Sequence, residues 1–191
     1  MIESSTAQPI AFITGASSGL GALFARELAD QGYALVLTAR RKERMETLAA
    51  EIQARSPIPI EIIRADLRRE DDLDQLVNRI GELDRLEMLI NNAGFGTVGK
   101  FGRVLPEKPR DMVDVHLTAT VRLTRAALPG MLNRNKGGVI NVSSLAAFFP
   151  LPGGVTYCAT KAALVAFSQT LAFELEEIGR ASCRERVFGL V

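Results

Sequence analysis

The chain has 191 residues, of which 47% are hydrophobic and 24% are charged, as is typical of a single globular domain with a sizeable core. Its 23 basic and 22 acidic residues leave a net charge of +1, which excludes a strong electrostatic attraction to nucleic acid or to an anionic membrane. The two cysteines, Cys158 and Cys183, are too few for a disulfide framework and lack the spacing of a metal site, so we expect no bound metal.

Five short apolar runs alternate with segments of helical periodicity between residues 10 and 176. The predicted strands are 10–14, 34–38, 58–64, 86–91 and 138–143, and the predicted helices are 20–31, 41–55, 70–80, 109–132 and 156–176. Gly32 follows the first helix as a C′ glycine, and Pro129 is expected to kink or end the fourth helix near its last turn. Because each strand is apolar on both faces, the pattern predicts an α/β fold, a doubly wound parallel sheet with helices on both faces.

A glycine-rich turn lies between the first strand and the first helix. In this position backbone amides and the positive end of the helix can face a pyrophosphate. Gly15 permits the tight turn, Gly19 lets the backbone approach a phosphate, and Gly21 allows the helix to pack closely. Ser17 and Ser18 add hydroxyl donors. We therefore expect a dinucleotide here; a glycine turn without a ligand is the alternative.

The second strand ends at Ala39 and is followed by Arg40 and Arg41. A site that selects NAD usually has a carboxylate about 20 residues after the glycine turn, where it binds the ribose 2′-hydroxyl. The chain has none here, and two arginines can bind a 2′-phosphate instead. This favours NADP. The alternative is a pair of solvated arginines at a helix start, although arginine there opposes the helix dipole.

Polar and small residues follow the third and fourth strands, at the sheet edge where ligands bind in such folds. Asp66 can accept a hydrogen bond from an adenine amino group, or it can cap the next helix. Asn92, Ala93 and Gly94 are small enough to let the backbone pack against a cofactor, with ordinary turn chemistry as the alternative.

Tyr157 and Lys161 are four residues apart at the start of the fifth helix and so share one helix face. A phenol titrates at about pH 10 in water, and an ammonium beside it favours the phenolate. Tyr157 is therefore the candidate general acid/base, with Lys161 as its electrostatic partner. The pair alone is a common surface pattern. A strand-end serine upstream, Ser143 or Ser144, can add a hydrogen bond to the same substrate oxygen.

Taken in order, these motifs resemble the short-chain dehydrogenase/reductase family. The resemblance covers residues 10–176 and implies a Rossmann-like fold with NADP(H)-dependent hydride transfer between nicotinamide and a carbonyl or secondary alcohol. It implies Ser144, rather than Ser143, as the catalytic serine, with Tyr157 as acid/base and Lys161 as the residue that tunes it and holds the nicotinamide ribose. The implied cofactor-binding residues are Gly15, Ser17, Ser18, Gly19, Leu20, Gly21, Arg40, Arg41, Asp66, Leu67, Asn92, Ala93, Gly94, Tyr157 and Lys161.

One position in the long helix departs from this family. Most members have an asparagine there, which holds a water that links the lysine to solvent, whereas this chain has His116. A neutral histidine can also donate and accept hydrogen bonds, so His116 is a candidate catalytic residue in a proton relay. The equally weighted alternative is a core-side histidine, packed on the face of Met112, Ala119 and Leu123 and satisfied by backbone.

The two ends of the chain lack the patterns of the middle. Residues 1–8 are polar, without a signal-peptide core, and the most apolar stretch, 162–175, is interrupted by polar residues, so we expect a cytoplasmic protein. Apolar periodicity stops after Glu176, and residues 177–187 resemble the conceptual translation of a sequencing-library adapter. We expect residues 1–176 to form an incomplete NADP-binding domain that lacks the C-terminal strands of the family, with 177–191 as a non-native tail. A natural polar tail is the alternative.

The expected partner is a small carbonyl or alcohol substrate, with neither nucleic acid nor a membrane involved. Residues 145–151 are strongly apolar, which favours an apolar substrate if they line the pocket, and core packing is the alternative. The resemblance also implies a homodimer or homotetramer for the complete protein. Competing functions are an epimerase or dehydratase of the same superfamily, a non-catalytic NADP-binding protein and an inactive truncated fragment.

Overall fold

The computed structural model describes residues 2, 8–97, 99–177 and 188–190. Its strands are β1 (Ile10–Thr14), β2 (Ala34–Ala39), β3 (Ile60–Arg64), β4 (Leu86–Asn91), β5 (Gly138–Val142) and β6 (Phe188–Leu190). Its α-helices are α1 (Gly19–Asp30), α2 (Lys42–Gln53), α3 (Glu70–Gly81), α4 (Glu107–Val113), α5 (Ala119–Arg134) and α6 (Val155–Glu177). Short 3₁₀ turns at Phe101–Arg103 and Leu145–Ala147 complete the described elements.

All strand pairings are parallel, in the order β3-β2-β1-β4-β5-β6. The chain runs outward from β1 through β2 to β3, then returns to place β4 on the other side of β1. This reversal makes a crevice at the carboxyl ends of β1 and β4, the point where open α/β sheets bind ligands. The parallel sheet with helices around it confirms the predicted fold class.

The sheet separates two apolar clusters because successive strand residues point to opposite faces. On one face, Ile10 and Phe12 of β1 pack in a cluster with residues of α3 and α5. On the other face, Ala11 and Ile13 pack in a cluster with residues of α1 and α2. Both faces of β1 are fully buried, which is why its sequence is apolar from Ile10 to Ile13 and only Thr14 at its end is polar.

Gly32 and Pro129 were the two residues predicted to mark helix ends, and only Gly32 follows the end of a helix. Gly32 has φ +83° just after α1, and its amide donates to the carbonyl of Ala29, so the prediction of a C′ glycine is confirmed. Pro129 lies inside α5 and does not end it, because losing one backbone hydrogen bond leaves the rest of the helix intact up to Arg134.

The predicted long helix contains an irregularity. A π-helical turn, Asp114–Thr118, joins α4 to α5, and it carries His116 near its middle. π-Turns insert one residue into a helix and are frequent at functional sites. This turn packs against α6.

The chain has one strand more than predicted, because β6 pairs with β5 through Ile140 and Phe188, Asn141 and Gly189, and Val142 and Leu190. This short strand was not predicted, and the expectation that residues 1–176 form an incomplete domain stays a prediction. Residues 178–187 and 191 of the predicted non-native tail lie outside the described residues. Within the described residues, none of the helices is both long enough and apolar enough to cross a bilayer.

Candidate active site

The glycine turn follows β1 and leads directly into α1 at the crevice. Gly15 and Gly19 have φ of +68° and +57°, a region that side chains with a Cβ avoid. A Cβ on Gly21 would lie 2.4 Å from the carbonyl oxygen of Gly15, so the first turn of α1 packs directly on the turn before it. The structural roles predicted for Gly15 and Gly21 are thus confirmed, and the amino end of α1 faces the crevice.

Thr14 fastens this turn to the end of β4, a role that the sequence analysis missed. Its buried hydroxyl accepts hydrogen bonds from the amides of Asn92 and Ala93, each at 3.0 Å, and lies 3.3 Å from the carbonyl of Ile90. In addition, Asn92 Nδ2 donates a hydrogen bond to the Thr14 carbonyl at 2.9 Å. The only sequence signal was a threonine at the end of an otherwise apolar strand.

These bonds shape a cleft of about 350 Å³ at the switch point. Twelve of the predicted cofactor-binding residues line it, and Gly21 lies beneath the turn instead. Four further residues line the cleft but were not in the predicted set; they lie at or after strand ends and in the π-turn. The predicted lining residues are Gly15, Ser17, Ser18, Gly19, Leu20, Arg40, Arg41, Asp66, Leu67, Asn92, Ala93 and Gly94, and the additional ones are Ala39, Ala65, Phe95 and Val115.

Arginines form one end of the cleft. The Arg41 guanidinium donates to the hydroxyl oxygens of Ser17 at 3.0 Å and Ser18 at 2.8 Å, which leaves both hydroxyl protons able to donate elsewhere. Arg40 is exposed and makes no side-chain ion pair within 4 Å among the described residues. Three arginines and two carboxylates line an adjoining depression of about 380 Å³, so positive charge is in excess there; they are Arg40, Arg64, Arg69, Asp66 and Asp72.

Asp66 lies on the cleft wall with its carboxylate already engaged. Both of its oxygens accept from the Arg68 guanidinium, at 2.5–3.1 Å, and Arg68 reaches on to Asp111 of α4 at 3.1 Å. The Arg68 bonds, opposed by partial burial, hold the pKa of Asp66 below its usual range. The N-cap of α3 is Arg69, so Asp66 does not cap that helix.

Tyr157 and Lys161 share a face of α6, as predicted, with the lysine Nζ 5.8 Å from the centre of the phenol ring. Lys161 is only 5% exposed, and its Nζ donates to the Val142 carbonyl at 2.7 Å. Burial lowers the pKa of Lys161 from 10.5 to about 8, because a desolvated ammonium is less favourable than the neutral amine. Within the described part of the chain, the lysine is thus a buried cation without an ion pair, held by the Val142 carbonyl near the tyrosine ring.

The two serines after β5 have separate positions. Ser143 is buried, and its hydroxyl donates to the Lys161 carbonyl at 2.9 Å, which ties the end of β5 to α6. Ser144 is partly exposed, and its hydroxyl oxygen accepts from the Ala146 amide at 3.2 Å, which leaves the hydroxyl proton free to donate. This arrangement supports the choice of Ser144 over Ser143 as the serine that can reach a substrate.

The loop after β4 leads from the cleft to the tyrosine and lysine. Gly94 lines the cleft, and a Cβ there would lie 3.0 Å from His116 Nε2 and 3.6 Å from Lys161 Nζ. A Cβ on Gly96 would lie 3.9 Å from the Tyr157 ring. Tyr157 and Lys161 are not among the residues that line the cleft; they lie beside the loop of Gly94 and Gly96, at the point where this loop leaves the cleft.

His116 is buried between the cleft loop and α6. Its Nε2 accepts from the Phe95 amide at 3.1 Å, and its Nδ1 lies 2.8 Å from the Thr160 hydroxyl. The imidazole meets the rings of Phe95 and Tyr157 edge-on, at 5.9 and 5.8 Å between centres. Burial, followed by the charge of Lys161, lowers the pKa of His116 to about 4.

A parallel sheet with a glycine turn at its switch point, a cleft across that point and a tyrosine–lysine pair beside the cleft loop is typical of the Rossmann-like dinucleotide-binding folds. The sequence profile described as short chain dehydrogenase matches residues 9–180. The chain therefore belongs to the short-chain dehydrogenase/reductase family, and the predicted resemblance is confirmed.

Relatives of known name and solved structures are similar to this chain. Sulfoacetaldehyde reductase of Chromohalobacter salexigens is 38% identical over 167 residues, which cover 86% of this chain and 65% of that protein. The bulky-bulky ketone specific alcohol dehydrogenase of Comamonas testosteroni has a TM-score of 0.86 at 38% identity, covering 90% of this chain and 69% of that one. A short-chain dehydrogenase of Sphingobium yanoikuyae in complex with NADPH has a TM-score of 0.86 at 38% identity, covering 90% of this chain and 67% of that one. The chain thus spans about two thirds of the length of these relatives.

Proposed function

We propose that this chain is the catalytic domain of an NADP(H)-dependent oxidoreductase that interconverts a carbonyl and a secondary alcohol. The observation that carries this proposal is the position of Tyr157 and the buried Lys161 beside the loop that leaves a cleft built on the glycine turn. A general acid/base placed beside a dinucleotide cleft can serve hydride transfer there.

The residues of the cleft fit a nicotinamide dinucleotide. The amides at the start of α1 and the hydroxyls of Ser17 and Ser18 provide donors for a pyrophosphate, next to a turn too tight for side chains at Gly15. Arg40, without an ion pair of its own in the described chain, and Arg41 supply positive charge where a 2′-phosphate would lie. The relative bound to NADPH supports the preference for NADP.

The proposed chemistry divides between the cofactor and three side chains. When bound, the reduced nicotinamide supplies a hydride to the carbonyl carbon. Tyr157 gives its phenolic proton to the carbonyl oxygen, so that the carbonyl gains one hydride and one proton and becomes an alcohol. Ser144 donates a hydrogen bond to the same oxygen, and the Lys161 ammonium stabilises the phenolate that remains. The reverse reaction uses the same groups in the opposite order.

The substrate side of the site favours an apolar ketone or alcohol. Leu145, Phe148, Phe149 and Leu151 are all at least half exposed, between Ser144 and Tyr157. Exposed apolar side chains in such a cluster mark a binding surface more often than a solvated one. Core packing, the alternative for this strip, does not match these exposures.

We also propose that the complete protein is a homodimer or homotetramer, and a cytoplasmic location stays a prediction. Val121 of α5 and Phe173 of α6 are large apolar residues with 43% and 67% exposure, which supports a helix-on-helix contact between copies. Light scattering on the complete protein tests this proposal, and a monomer at micromolar concentration would contradict it.

The function is tested by incubating the full-length protein with NADPH and a panel of carbonyl compounds, while following the absorbance of the reduced nicotinamide. We expect stoichiometric oxidation of NADPH with apolar ketones or aldehydes. An epimerase or dehydratase would transform its substrate and retain the cofactor unchanged. Binding of NADPH without turnover of any carbonyl would support a non-catalytic binding protein, and turnover by the full-length protein but not by the 191-residue chain would identify an inactive fragment.

A further inference from the structure

A continuous chain of hydrogen bonds joins the cleft loop to the first turn of α6. The Phe95 amide donates to His116 Nε2 at 3.1 Å, His116 Nδ1 lies 2.8 Å from Thr160 Oγ1, and that hydroxyl donates to the Tyr157 carbonyl at 3.0 Å. The chain begins at a residue that lines the cofactor cleft and ends at the backbone of the candidate acid/base.

The direction of each bond fixes the protonation of the imidazole. An amide N–H can only donate, so His116 Nε2 must accept and carries no proton. The Thr160 hydroxyl donates its single proton to the Tyr157 carbonyl. Thr160 Oγ1 therefore accepts a hydrogen bond from His116 Nδ1. The arrangement is satisfied by one form only, a neutral imidazole with its proton on Nδ1.

Both ring nitrogens are therefore engaged by protein groups. The ring is 1% exposed and Thr160 is 2% exposed, so solvent does not reach this pair. The titratable groups that face the ring within the described chain are Lys161 and Tyr157, both from α6. Neither a lone pair nor an N–H remains on the His116 imidazole to hold a water or to pass a proton from Lys161.

We infer that His116 and Thr160 are positioning residues: together they clamp the cleft wall at Phe95 to the helix turn that carries Tyr157, and the His116 imidazole takes no part in proton transfer. The inference rests on the proposed function for its kinetic consequence, since the clamp sets where the Tyr157 phenol stands relative to a bound nicotinamide. The hydrogen-bond pattern itself does not depend on any activity. The π-turn brings the ring into this place, between the loop after β4 and α6.

The protonation state can be read directly because His116 is the single histidine of the chain. The full chain is labelled with ¹⁵N-histidine, and the ring nitrogens are followed by NMR from pH 5 to pH 9. We expect one neutral form with the proton on Nδ1 and no titration across this range. A proton on Nε2, a mixture of the two forms, or a titration midpoint near pH 6 would overturn the inference, whether or not the protein is active.

Two variants of Thr160 test the clamp in the full-length enzyme. Thr160→Val keeps the shape but removes the hydroxyl, and we expect kcat to fall about tenfold with the KM for NADPH within about twofold, because the acid/base is displaced while the distant adenine end is not. Thr160→Ser restores the hydroxyl and is expected to recover kcat to within about twofold of the wild type. Equal kcat for the valine variant and the wild type would overturn the positioning role. If the wild type has no activity on any carbonyl, the proposed function fails while the NMR result still decides the hydrogen-bond pattern.

Discussion

Lys161 is a charged residue in a nearly water-free position, and its environment explains how it can act on Tyr157. One hydrogen bond to the Val142 carbonyl holds the ammonium, and burial brings its pKa to about 8. A buried cation acts more strongly on a neighbouring phenol than a solvated one because less water screens it. The same burial makes the native state less stable while the lysine is protonated, so function and stability oppose each other at this residue.

This cost predicts a specific pH dependence of stability. The pKa of Lys161 is lower in the folded state than in the unfolded state, so the unfolded chain binds more protons between pH 8 and 10.5, and stability rises with pH there. Relative to Lys161→Met, the wild type should gain roughly 2–3 kcal/mol of unfolding free energy between pH 7 and pH 10. Urea unfolding of both proteins at the two pH values measures this gain, with the exposed Lys100→Met as control. A constant difference between wild type and Lys161→Met would contradict it.

Arg40 determines the cofactor preference in this account. Replacing it by a carboxylate in Arg40→Asp removes a charge-assisted bond to a 2′-phosphate and adds repulsion, so we expect NADPH to bind about tenfold to hundredfold more weakly, and NADH to bind more tightly. Fluorescence titration of both cofactors gives the ratio. Arg44→Asp is the matched control, because Arg44 is exposed on α2 and lies outside the cleft lining. An unchanged NADPH-to-NADH ratio in Arg40→Asp would mean that the 2′-phosphate is bound elsewhere.

The residues of the site were predictable where the chemistry depends on local spacing. Tyr157 and Lys161 are one helical turn apart, and a glycine is the residue expected where φ is positive, as at Gly15 and Gly19. These positions could therefore be predicted from the sequence alone. The partner of His116 was not predictable, because Thr160 is 44 residues away and the bond depends on how α6 packs on the π-turn.

At the scale of the elements, the junction of β1 and α1 positions the cleft through contacts between backbones. The first turn of α1 lies against the carbonyl of Gly15, and the side chain of Asn92 reaches the same place from β4. The Asn92 amide and the two backbones occupy the space of this junction, which is the reason that Gly15 and Gly21 carry no side chain.

Substitution at this junction should weaken both the fold and the site. Gly21→Ala places a methyl group 2.4 Å from the Gly15 carbonyl oxygen and 2.6 Å from Asn92 Nδ2, so we expect about 1–3 kcal/mol of destabilisation and weaker NADPH binding. Gly81→Ala, at the last residue of α3, meets no atom within 4 Å and should stabilise the protein by up to about 1 kcal/mol. Urea unfolding of both variants gives the comparison. Equal stability of Gly21→Ala and the wild type would show that the junction can relax.

Most element bounds could be predicted from apolar periodicity, and the exceptions have physical reasons. The strand predicted at 86–91 is Leu86–Asn91 in the structure, because a buried parallel strand is apolar on both faces. The π-turn was not predictable, since one extra residue in a helix hardly changes the apolar pattern. The strand Phe188–Leu190 is three residues long, too short to give a periodic signal.

At the scale of the whole molecule, the order of the strands brings together residues that are far apart in the chain. Glycines near residue 15, arginines near 40 and the loop after residue 91 meet in one cleft because β1 lies between β2 and β4. A ligand in this cleft touches elements from both halves of the sheet. Its binding should therefore stabilise the fold as a unit.

This linkage gives a test that needs no substrate. At a concentration one hundred times its Kd, NADPH should raise the free energy of unfolding by about 2.7 kcal/mol, since it binds the native state alone. NADH at the same concentration should raise it much less, because it has no 2′-phosphate for Arg40. Thermal unfolding of the 191-residue chain with each cofactor measures the effect. Equal stabilisation by both cofactors would contradict the proposed preference, and no stabilisation by either would contradict the cleft assignment.

The central claim is that Tyr157 supplies the proton during carbonyl reduction, and Tyr157→Phe tests it most directly. The variant removes one oxygen and keeps the ring that meets His116 edge-on. In the full-length enzyme we expect kcat to fall by about a hundredfold to ten thousandfold, the range that general acid/base catalysis provides, with the Kd for NADPH within about threefold of the wild type. Turnover by Tyr157→Phe within about twofold of the wild type would contradict the mechanism.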